Sequence, residues 1–191
     1  MEQTKWSETV ILVDADYADA VAFDLTVNFE RMLNRRIPKA DLSQWIVCMA
    51  LDGGVTAGSN EVQVVLVHAR EKKALDNFVP SDFDRELDGQ AFRDGTLGEF
   101  RVSSVQTENM VSGEDFFIQS LEVLADEKSI RRLVVVPDME RCGRRVKSVL
   151  GRTDGKEVTL LVMEPQSGNF RCDILGYSLM NAMGIRGEEF K

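Results

Sequence analysis

The chain has 191 residues, 43% of them hydrophobic and 29% charged, and 32 acids against 23 bases leave a formal charge of −9. That length suits one domain with a sizeable core. The acid excess argues against a protein that coats DNA or a membrane, since both require an outward positive field.

The first strong signal is Thr9-Val10-Ile11-Leu12-Val13, a β-branched run without alternation that ends in Asp14-Ala15-Asp16. Such a run predicts a strand buried on both faces, as in a parallel sheet. Ala18, Ala22, Leu25, Phe29 and Met32/Leu33 then recur at helical spacing. Asp16 and Asp19 fit the N-cap and N3 of that helix, which should end near Arg35-Arg36, before Pro38. Asp41 to Leu51 predicts a second helix, stopped by Asp52-Gly53-Gly54, and Val62 to Val67 a second buried strand ending at His68. Residues 71–95 are charged and aperiodic and predict a long excursion. Leu97 to Val105 is a third, weaker strand. Helix, strand, helix and strand follow: Ser112 to Asp126, Arg132 to Val136, a stripe through Cys142, Val146 and Val149/Leu150, and Glu157 to Met163. The tail adds an edge strand, Phe170 to Leu175, able to extend the sheet into a homodimer, and a short helix over Tyr177 to Met183.

Strands alternating with helices specify an α/β domain with a mostly parallel sheet. Right-handed crossovers make it doubly wound, with about five strands and helices on both faces. The domain is expected over 1–165, with 166–191 a C-terminal appendage packed on it.

No basic start and apolar run of a signal peptide opens the sequence, and no apolar stretch approaches the ~20 residues of a membrane helix. Three widely spaced cysteines, with no CxxC pair, predict reduced thiols and a cytoplasmic protein. His68 is the single histidine, so a Cys/His or multi-histidine metal site is excluded and any metal must be held by oxygen.

Acids stand where such a sheet would bind a ligand, beyond the carboxyl ends of its strands. Asp14 and Asp16 close the first strand, Asp138 and Glu140 close the Leu133–Val136 strand, and Glu114 and Asp115 begin the helix before it. Carboxylates converging on one rim repel each other and favour a divalent cation. A bound Mg²⁺ or Mn²⁺ could orient a phosphate oxygen and activate water. Each acid also has a capping role open to it: Asp16 as N-cap, Ser112 with Asp115 as a capping box, Asp138 ahead of its helix.

This arrangement resembles the NYN branch of the PIN-like nucleases. The residues that carry the resemblance are Val10-Ile11-Leu12-Val13-Asp14, Ser112-Gly113-Glu114-Asp115 and Val134-Val135-Val136-Pro137-Asp138-Met139-Glu140, in an element order running from Thr9 to Met163. The resemblance implies a metal-dependent phosphodiesterase acting on RNA. Asp14, Asp115 and Asp138 would hold Mg²⁺ or Mn²⁺, Glu140 would assist, and Arg144 and Arg145 would contact substrate phosphate. The sequence departs from the family at Ser112, where a Lys is usual, and at Ile118-Gln119-Ser120, where a further Asp is expected. Those departures imply an alternative, a non-catalytic interaction or regulatory protein that keeps the fold. Asp14-Ala15-Asp16 also resembles the Asp-x-Asp of haloacid-dehalogenase-type phosphatases, a third reading.

Overall fold

β1 (Thr9–Asp14) sends Ile11 and Val13 to one side of the sheet and Val10 and Leu12 to the other, and all four are fully buried. A strand with two apolar faces needs a helical layer on each, and the rest of the chain supplies them. The computed structural model describes residues 5–191. After β1 come α1 (Ala15–Leu33), β2 (Ala40–Asp41), α2 (Leu42–Asp52) and β3 (Asn60–His68). Next are β4 (Phe78–Val79), a π-helical turn over Phe83–Leu87, β5 (Gln90–Asp94) and β6 (Gly98–Gln106). The last part holds α3 (Gly113–Asp126), β7 (Arg132–Val136), α4 (Met139–Gly151), β8 (Glu157–Val162), β9 (Arg171–Ile174), α5 (Leu175–Ala182) and a closing turn, Gly187–Phe190.

The central sheet has seven strands in the order β5-β6-β3-β1-β7-β8-β9, against the five expected. Every neighbouring pair is parallel except β5 with β6. The two extra strands have different origins. β5 lies in the excursion that showed no periodicity, and β9 is the strand assigned to the appendage. The tail is therefore part of the sheet and of the core, where Leu175, Leu179 and Met183 are buried. α5 packs on α2, and the Trp45 indole N–H donates to Ser178 Oγ at 3.1 Å.

One layer, α1, α2 and α5, covers the face carrying Ile11, Val64 and Val134. The other, α3 and α4, covers the face carrying Leu12, Val65 and Val135 with Phe117, Leu121 and Val146. Among the six parallel strands the chain first builds outward from β1 through β3 to β6. It then crosses to β1's other side and builds through β7 and β8 to β9. The direction of winding reverses between β1 and β7, which marks the expected ligand position.

The excursion is ordered by single long-range anchors. β4 pairs with β2 in a separate two-stranded sheet, and Phe78 is buried against Trp45 with ring centroids 5.1 Å apart. Asp19 is not an exposed helix-start acid: it is buried, and its carboxylate accepts from Lys72 Nζ at 2.8 Å and from the amides of Asp76 and Asn77. Burial works against that charge. The Lys72 ammonium and the two amides outweigh it and hold the Asp19 carboxyl below the usual range. The N-cap of α1 is Asp14 rather than Asp16, because the strand runs directly into the helix.

Candidate functional site

A cavity of about 550 Å³ opens at the reversal point, and its walls come from the carboxyl ends of β1, β3, β6 and β7 and the first turns of α1, α3 and α4. Asp14, Asp16, Tyr17, His68, Arg70, Glu114, Asp138 and Arg141 all line it. Parallel strands place their carboxyl ends on one rim, so residues distant in sequence meet there without any long-range motif.

Two of the three expected ligand acids share this cavity. Asp14 caps α1, its Oδ1 accepting from the Tyr17 amide at 3.1 Å. Asp138 caps α4 in the same way, accepting from the Arg141 amide at 3.3 Å. In each carboxylate Oδ2 makes no hydrogen bond among the described residues. The caps satisfy helix-start amides and also fix both acids at the mouth of the cavity.

Asp14 is the most perturbed of these acids. Burial pushes its carboxyl up to about 6, the Tyr17 amide works against that, and the charges of Asp16 and Asp138 push the same way as burial. Arg141 pulls it back down. A carboxyl near 6 exchanges protons readily around neutral pH, which is the property a general acid or base requires.

Asp115 stands elsewhere. It does not line the cavity, and Arg145 Nη1 donates to its Oδ1 at 2.6 Å on the surface. The Arg145 guanidinium and the Ser112 hydroxyl hold its carboxyl below the usual range. Ser112 is the N-cap of α3, as its sequence position implies. Glu140 also lies outside the cavity lining, exposed in the first turn of α4. Arg144 is exposed, with no ion pair among the described residues, and Arg145 is taken by Asp115. Of the α4 arginines it is Arg141 that lines the cavity, and its Nε lies 3.1 Å from Glu114 Oε1.

The chain belongs to a family of unknown function, DUF6621, whose model matches residues 3–190. No curated protein and no solved structure matches it. For this family member, then, the donor chemistry of the cavity must answer whether a metal fits. Among the described residues no group of three or more His, Cys, Asp or Glu is arranged to hold an ion. Asp14 and Asp138 are what remains, each with one uncommitted oxygen. Mg²⁺ is commonly held by one or two carboxylates with water and substrate phosphate completing its shell, so the pair fits such a site and a three-carboxylate centre does not.

His68 and Asp16 are the residues that motif reasoning undervalued. His68 is 4% exposed, stacked face to face on Phe83 with centroids 3.7 Å apart. Asp16 Oδ2 accepts from the Ala69 amide at 2.7 Å, while its Oδ1 is buried without a partner. The signal that finds them is positional: they sit at or just past the carboxyl ends of β3 and β1, beside the reversal. Cys142 also lines the cavity, but burial pushes its thiol up to about 11, away from nucleophilic character. No described helix is long and apolar enough to cross a membrane.

Proposed function

We propose that the protein is a divalent-metal-dependent phosphodiesterase acting on RNA through the cavity between β1 and β7. The observation that carries this reading is the pairing of Asp14 and Asp138 in one cavity at the reversal point, where burial above all, with smaller pushes from Asp16 and Asp138, raises the Asp14 carboxyl to about 6. Two uncommitted carboxylate oxygens on one rim form a place where a cation is welcome.

Asp14 and Asp138 would hold the ion through their Oδ2 atoms, and a bound divalent metal supplies charge neutralisation and acidified water. The chain's own residues provide the rest. Asp14 would release its proton as the ion binds, so metal affinity should rise with pH through about 6. Arg141, with Arg70, places a guanidinium at the cavity wall, where a phosphate could meet positive charge among the acids. The two cap hydrogen bonds keep both carboxylates from swinging away.

The test is cleavage of single-stranded RNA with Mn²⁺ by the wild type, Asp14→Asn and Asp138→Asn. Removing either charge that would hold the ion should lower the rate by about 100-fold or more. Cleavage that survives both substitutions sinks the reading.

The Asp115–Arg145 ion pair favours a second reading. An acid of the resembled motif that is tied to an arginine outside the cavity fits a non-catalytic interaction protein built on the same fold. That reading expects no metal-dependent cleavage and no Mn²⁺-induced rise in melting temperature.

A further inference from the structure

The corner of the cavity formed by Asp16, His68 and Ala69 is more specific than a patch of acids. Ala69 fixes both side chains. Its amide donates to Asp16 Oδ2 at 2.7 Å, and its carbonyl lies 2.9 Å from His68 Nδ1. A carbonyl can only accept, so Nδ1 carries a proton, and with one ring proton Nε2 is left as an acceptor. Phe83, stacked in parallel on the ring, holds the imidazole plane. The pose of both acceptors is thus set before any ligand arrives.

Both acceptors are left unanswered. His68 is 96% buried by surface area, lines the cavity, and its Nε2 has no hydrogen-bond partner among the described residues. That nitrogen is not one of the sealed orphan atoms, and the residue that carries it belongs to the cavity wall. Asp16 Oδ1 is sealed and unpartnered, a carboxylate oxygen that has lost water without gaining a donor. Lys72, a cation whose field reaches Asp16, is bound to Asp19 and Asp76 instead. Around the corner, six lining carboxylates face only Arg70 and Arg141.

We infer that this corner is a recognition subsite for a ligand carrying an NH₂ or NH₃⁺ group, which donates to His68 Nε2 beside the uncompensated charge of Asp16. A buried acceptor already fixed in place discriminates strongly against a ligand that presents another acceptor to it. If the protein cleaves RNA as proposed above, the group is the exocyclic amino group of a nucleobase, so cytosine, adenine or guanine is favoured beside the scissile phosphate over uracil, which has none. The same chemistry is offered by an alkyl diamine. The subsite itself does not depend on the phosphodiesterase reading.

One histidine in the chain makes the experiment direct. Isotope-labelled histidine gives a single pair of ring-nitrogen resonances in the whole protein, read by NMR without metal and without turnover. In the free protein the expected result is a protonated Nδ1 and an unprotonated Nε2. Cytidine at millimolar concentration should move the Nε2 resonance while uridine, with a carbonyl at that position, leaves it in place. Movement by putrescine alone assigns the subsite to alkyl amines, and movement by cytidine assigns it to nucleobases. An Nε2 that carries the proton in the free protein, or one unmoved by both ligands, overturns the inference.

Asp16→Asn supplies the second arm. The amide oxygen can still accept from Ala69, but the charge is gone, so the response to the amino ligand should weaken by about tenfold. Melting temperature should hold or rise, because a buried unpartnered charge has been removed. A lowered melting temperature with an unchanged ligand response would make Asp16 a structural residue and overturn its part in recognition. Absence of RNA cleavage by the wild type, with its NMR response to the amino ligand intact, would overturn the phosphodiesterase reading alone.

Discussion

The two ends of the parallel sheet carry cavities of opposite character. The larger, about 830 Å³, lies at the amino ends of the strands and brings Arg131, Arg132 and Lys156 together with Glu8, Glu61 and Glu157. Most of its charges are answered there: Arg132 Nη2 donates to Glu157 at 2.8 Å, Arg131 lies 3.8 Å from Glu8, and Lys156 Nζ donates to the carbonyls of Glu127 and Ile130. Among the described residues Glu61 makes no ion pair there, and Arg132 Nε is buried without a partner. At the carboxyl end, Asp14 and Asp138 each keep a free oxygen, Asp16 keeps a buried one, and His68 keeps an open nitrogen. Size does not distinguish a site from a crevice. Unanswered polar groups held rigidly do.

The sharpest way to break this contrast is to remove charge at each end. Asp14→Asn should lower Mn²⁺-dependent RNA cleavage by about 100-fold or more, whereas Arg132→Met should leave the rate unchanged. Equal losses in the two variants would mean that the carboxyl end holds no privileged acid. Next in size is Asp19→Ala, which leaves Lys72 and the amides of Asp76 and Asn77 without their acceptor. Breaking a largely buried pair costs about 3 to 4 kcal/mol, read as a lowered urea midpoint.

Acidity separates the acids further. Asp14 titrates at about 6 when folded against 3.8 in its ordinary setting, so the folded state binds this proton more tightly than the unfolded chain does. Its effect on stability is therefore most favourable below about pH 4, declines as pH rises through about 6, and is constant above. The decline is at most about 3 kcal/mol, and Asp14→Asn should remove it from a series of unfolding measurements between those values. Asp19 works in the opposite direction, since its carboxyl is held below the usual range and its contribution is lost as pH falls. The smallest expected effect belongs to the amino end. Arg132→Met removes a pair whose glutamate is well exposed, and should change stability by less than about 1 kcal/mol.

Legibility followed the range of the interactions. β1, β3, β7 and β8 announce themselves because each is buried on both faces, and burial writes a continuous apolar run. β5 leaves no such trace: it is an edge strand whose residues are exposed or half-buried, so nothing in its composition marks it. Asp19 was readable as a polar residue at a helix start, but its burial depends on a loop more than fifty residues away. At the cavity, Asp14 and Asp138 were visible because they end apolar runs. The separation of Asp115 from them was not, since it rests on the Arg145 side chain reaching across from α4. His68 was visible as a residue and not as an acceptor, because its tautomer is set by one carbonyl.

The position of β1 has a consequence for how the chain acquires its shape. It leads the described structure, yet it sits between β3 and β7, and its register with β7 joins Thr9 to Arg132. Until β7 has left the ribosome, one edge of a strand that is apolar on both faces stays open. Such distant pairing slows folding and leaves an adhesive edge in the interval. A chain stopped after α3 should therefore aggregate rather than fold, and the two carboxylates of the cavity can meet only once the second half of the sheet has closed on the first.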